Sequence, residues 1–77
     1  MTIKVDPEAN AAYITIEPDR PPGAVAKTHV CDIYFESGSI HFDLDGNGRL
    51  IGIEILGLSN VVTARAMTHL QEENHRR

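Results

Sequence analysis

The sequence predicts an α+β fold, an antiparallel meander sheet of four to five strands with one C-terminal helix packed on it. Three observations carry that expectation. Apolar and polar residues alternate with period two over 2–6, 12–17, 39–44 and 51–55, which is the pattern of half-buried strands. Clusters of Pro, Gly, Asp, Asn and Ser separate those runs. After Gly57 the spacing changes, and Val62, Ala66, Met67 and Leu70 recur at helical intervals.

The elements follow in order. Ile3 and Val5 share one face of a first strand, with Lys4 on the other. Asp6-Pro7-Glu8-Ala9-Asn10 then turns the chain, because Pro presets φ while Asp and Asn satisfy local backbone groups. Ala12, Ile14 and Ile16 point inward on a second strand, with Tyr13, Thr15 and Glu17 outward. Three prolines within 18–23 exclude a strand there and require a loop. From 24 to 35 the chain is β-prone but out of step, so a bulge or break near Val30 is expected. Ser59 or Asn60 is the natural N-cap for a helix from about 60 to about 73. The whole chain reads as one domain, with the sheet over about 2–57.

The segment 43–54 admits two structures. Asp43, Asp45, Asn47 and Glu54, with Gly48 and Gly46 between them, resemble a calcium loop. The same residues read as a hairpin reversing within 45–49. The flanks favour the hairpin, since both alternate with period two and neither is helical. With Phe42 facing Ile53 and Leu44 facing Ile51, Glu54 lies about 13 Å from Asp45, too far to share one ion. No metal is therefore expected, and Asp43, Asp45, Asn47 and Glu54 remain the calcium candidates of the alternative reading.

Two segments resemble a known family. Residues 4–14, Lys-Val-Asp-Pro-Glu-Ala-Asn-Ala-Ala-Tyr-Ile, are similar to the opening of the small bacterial domain-of-unknown-function family 2283. Residues 45–56, Asp-Gly-Asn-Gly-Arg-Leu-Ile-Gly-Ile-Glu-Ile-Leu, are similar to its closing signature. The resemblance spans roughly residues 3–60. Val5 stands where the family usually has an aromatic residue, and Asn10 where it usually has Asp. The resemblance implies a fold, and a hairpin at the acidic turn, but brings no activity and no catalytic residue.

Composition narrows the function. A net charge of −4 argues against nucleic acid as the main partner, and the basic pair Arg76-Arg77 sits at the C-terminal end. Cys31 is alone, which excludes an intrachain disulfide, and no apolar run is long enough to span a bilayer. Together with the absence of a leader-like N-terminus, these observations lead us to expect a cytoplasmic protein.

A zinc site from His29, Cys31 and His41 has no fourth ligand, and Ser37 and Ser39 lack any nucleophile-elbow context. No catalytic residue, no cofactor and no enzymatic activity are expected. The expected role is self-association or binding of a protein partner. One version is an acidic, antitoxin-like module that neutralises a basic ribonuclease. With no Trp, two Tyr and two Phe, the core is thin, and a homodimer is expected, with Val62, Ala66, Met67 and Leu70 at or beside the interface.

Overall fold

The computed structural model describes residues 1–75. Strands β1 (Thr2–Asp6), β2 (Ala11–Thr15), β3 (Lys27–Val30), β4 (Ser39–Leu44) and β5 (Leu50–Leu56) precede two helices, α1 (Leu58–Val61) and α2 (Ala64–His75). The five strands form one antiparallel sheet in the order β1-β2-β5-β4-β3. This is the expected α+β class. Two local runs, β1-β2 and β3-β4-β5, meet where β5 pairs with β2, so β5 is central and β3 lies on the far edge.

Register sorts the side chains into two faces. Ile3, Ile14, Ile53, Phe42 and His29 lie across the sheet in one row, and Val5, Ala12, Ile55 and Ile40 in the next. This is the face that the helices cover. Leu58 is fully buried against Val5 and Ala12, and Ile3, Ile55, Val62, Met67 and Leu70 pack around them. Complete burial of a Val, Leu, Ile or Met side chain here contributes roughly 1.5–3 kcal/mol, and of Ala12 less. The opposite face carries Lys4, Tyr13, Glu54, His41 and Val30 in one row, and Thr15, Gly52, Asp43 and Thr28 in another.

Three local features differ from expectation. The C-terminal helix does not run unbroken from about 60 to 73. Gly57, at φ 68°, caps a short α1, the chain extends at Val62, and α2 restarts at Ala64. Thr63 makes the second start possible, since its Oγ1 accepts the Ala66 N–H at 3.1 Å. Ser59 instead serves the β1–β2 turn, donating its N–H to Asn10 Oδ1 (3.1 Å) while its hydroxyl accepts Asn10 Nδ2 (2.9 Å). Second, Leu44 pairs with Leu50 and not with Ile51, because a bulge lies beside Asp43 and Leu44. The Ile51 carbonyl accepts the N–H groups of both Ile16 and Glu17, and β2 ends there with Ile16 exposed. Third, the break near Val30 is the end of β3 itself, after which 31–38 is irregular.

Candidate functional site

The acidic turn closes on itself. Asp45 Oδ1 accepts the N–H groups of Asn47 and Arg49, both at 2.9 Å, and the Asp45 carbonyl accepts the Gly48 N–H at 3.0 Å. Gly48 takes φ 77°, the left-handed conformation that this reversal needs. The carboxylate that would head a calcium loop is thus spent on backbone amides, as in an Asx turn. Phe42 faces Ile53 and His41 faces Glu54, which sets Glu54 up the strand from the turn, as the hairpin reading requires. Among the described residues no group of three or more His, Cys, Asp or Glu could hold a metal ion. Asp43, Asp45, Asn47 and Glu54 do not converge. His29 and His41 lie on opposite faces of the sheet, since His29 pairs with Phe42, so the His29, Cys31 and His41 set does not assemble either.

Asp43 belongs to a network that periodicity alone does not reveal. The Tyr13 ring lies over Gly52, and its hydroxyl donates to Asp43 Oδ2 at 2.6 Å. A Cβ at Gly52 would collide with that hydroxyl, so the strand needs glycine for this close approach. Arg20 reaches back from the proline-rich loop, donating Nη2 to the Tyr13 oxygen (2.7 Å) and Nη1 to the Ile51 carbonyl (3.1 Å). Its guanidinium lies 5.5 Å from the Tyr13 ring centroid. Thr28 donates to Asp43 Oδ1 at 2.8 Å and so ties β3 to the same carboxylate.

Burial and the hydrogen bond to Asp43 raise the Tyr13 pKa above the usual phenol range, with Arg20 opposing them. The hydrogen bond to Tyr13 raises that of Arg20. Every strong polar group in the cluster is engaged by another. The network fastens the 16–26 loop and β3 to the sheet and presents no spare acid, base or nucleophile.

Beside Tyr13, the small side chains of Ala9 and Ala11 leave an open depression of about 390 Å³ flanked by Lys4, Asp6 and Glu54. It opens on the face of the sheet opposite the helices, where Lys4, Tyr13 and Glu54 are cross-strand neighbours.

The family model described as a protein of unknown function, DUF2283, matches residues 2–59. The chain belongs to that family. No curated protein and no solved structure matches it. The matched region of this DUF2283 chain ends beside Leu58, before α2 begins. Its two motifs have structural work to do. Asn10, at φ 51°, uses both ends of its amide on Ser59 and its carbonyl on the Leu58 N–H (2.8 Å), docking the first hairpin onto the start of α1. The second motif makes the turn, the bulge and the glycine under Tyr13.

What the sheet leaves open is its far side. Val62, between the helices, and Met67 and Leu70 of α2, all from the expected interface stripe, pack on the chain's own core, with Ala66 half-buried on α2. All four residues of edge strand β3 are exposed. Val30 (53 % exposed), Ile33 (62 %) and Tyr34 (85 %) continue that edge into the following loop. Sequence reasoning missed this surface, because a β-prone but out-of-step 24–35 does not show which of its residues end on an edge. Among the described residues, no helix is long and apolar enough to cross a membrane.

Proposed function

We propose that this DUF2283 chain is a non-enzymatic protein-binding module whose first partner is a second copy of itself. The observation that carries this reading is the size of its core. Among the described residues only Val5, Ala12, Ile51 and Leu58 count as buried hydrophobics. The chain exposes 5497 Å², against roughly 4,700 Å² for a compact monomer of this mass. The excess, about 800 Å², is surface that a more compact monomer of this mass would have folded away. An unfinished core and an open sheet edge both gain from the same event, burial against another chain.

The polar groups support the non-enzymatic part, since Tyr13, Arg20, Thr28 and Asp43 satisfy one another. The antitoxin-like version rests on the net charge of −4 and the small size. It calls for a partner with a basic surface and for binding that weakens as salt is raised.

Sedimentation equilibrium of the full chain at tens of micromolar tests the self-association. A dimer mass is the expected result. A monomer mass up to several hundred micromolar would exclude self-association as the role.

A further inference from the structure

We infer that the second copy joins at β3, pairing antiparallel across a two-fold axis through His29 to make one continuous ten-stranded sheet. This rests on the self-association proposed above and specifies its geometry. Cys31 donates its N–H to the Ile40 carbonyl at 2.8 Å, so residue 31 bonds inward to β4. Antiparallel alternation makes His29 bond inward as well, and turns the N–H and C=O of Thr28 and Val30 outward. Among the described residues, no backbone partner lies on that side of the strand.

A two-fold axis perpendicular to the sheet keeps each face on its own side, so it pairs residues of like parity. Three registers put outward groups opposite outward groups. Centring on Thr28 would call on residue 26, whose N–H already donates to the Leu44 carbonyl at 2.9 Å. Centring on Val30 would call on Asp32, which lies beyond the strand. Centring on His29 sets Thr28 opposite Val30 of the second copy and Val30 opposite its Thr28, satisfying all four outward groups with residues already extended.

The side chains suit that register. On the open face two β-branched pairs, Thr28 with Val30 and its symmetry mate, meet at the junction. On the helix-bearing face His29 meets His29, flanked by Phe42 across the ladder and by Lys27 and Cys31 along the strand. Lys27 comes opposite Cys31 of the second copy. The exposed Val30 lies at the junction, where the pairing would cover it. The occupant is a second copy because the outward groups of Thr28 and Val30 match those of their own symmetry mates in spacing and parity.

The test uses single substitutions in the full chain. Val30→Pro removes an outward donor while leaving the Thr28–Asp43 bond and the ladder to β4 in place, and an edge strand tolerates proline there. It should weaken dimerisation at least tenfold in sedimentation, with an unchanged circular dichroism spectrum.

A second measurement holds even if that variant fails to fold. In a Cys31→Ser background, His29→Cys places two cysteines directly opposite, at the roughly 4.5 Å Cα separation of a non-hydrogen-bonded pair, within disulfide range. Mild oxidant should cross-link His29→Cys to a dimer within minutes and leave Thr28→Cys in the same background monomeric on a denaturing gel. A dimeric wild type in which Val30→Pro dimerises normally, or in which both cysteine variants cross-link alike, overturns the β3 register while leaving self-association standing. A monomeric wild type overturns both.

Discussion

At the residue scale, the side chain that ties most of the sheet together is Tyr13. It joins β2 to β4 through Asp43 and holds the loop through Arg20, and each of those bonds spans Gly52 or the Ile51 bulge. Tyr13→Phe keeps the ring and deletes the hydroxyl, and should cost about 1–2 kcal/mol in urea unfolding at neutral pH.

The same hydroxyl gives a signature in pH. Its folded pKa is raised above the unfolded value, so its contribution is complete below about pH 10, the ordinary phenol value, and is lost as pH rises through the folded pKa. Urea midpoints of wild type and Tyr13→Phe measured from pH 8 to pH 11 should therefore converge at the alkaline end. Parallel curves would mean that the hydroxyl does not feel its burial.

Gly48 is the complementary case. A Cβ there would meet nothing within 4 Å, so Gly48→Val tests backbone strain alone, and should destabilise by roughly 1–3 kcal/mol at φ 77°. A loss under half a kilocalorie would show that the turn relaxes to another type.

At the scale of elements, what was legible followed from local pattern. The β4–β5 hairpin, its turn at 45–49 and the Phe42–Ile53 pairing follow from alternation on both sides of Asp-Gly-Asn-Gly. The Leu44–Leu50 slip was not legible, because a bulge preserves apolar content and changes only which apolar residue faces which. Nor was the helix break. Ser59-Asn60 is as good a capping pair as Thr63, and the choice between them was made by Asn10, forty-nine positions away. The Tyr13–Asp43 bond spans thirty residues and needed the β2–β5 pairing, which no local rule supplies. One signal could have found it: a glycine inside a strand, which marks close approach of another group.

The hairpin also makes a prediction about metal. Millimolar calcium should leave the thermal midpoint unchanged, since Asp45 Oδ1 already has two amide donors and Glu54 lies up the strand. A loop binding at about 10 µM would add about 2.7 kcal/mol at 1 mM. A rise of several degrees, abolished by Asp45→Ala, is the result that would sink the hairpin assignment.

At the scale of the whole molecule, a slab of 35 × 31 × 18 Å is one sheet with a helix layer on one face, and that layer sits over β1. The fold therefore has a finished side and an unfinished one, and the two should respond differently to mutation. Met67 packs on the cluster of Val5, Ala12 and Leu58 within its own chain. Met67→Glu places a carboxylate against that core without a partner, which should cost several kcal/mol in the monomer itself. Its thermal midpoint should fall by a similar amount at every protein concentration.

Val30→Pro acts on the open edge, where stability is shared with a second copy and scales with the logarithm of concentration. Its midpoint should match wild type in dilute solution and lose the rise that wild type shows as concentration increases. Melting both variants and wild type from 1 to 300 µM separates the two sides of the molecule. If Met67→Glu instead abolishes only the concentration dependence and spares the dilute midpoint, the helix stripe is the interface, and the β3 edge is merely exposed.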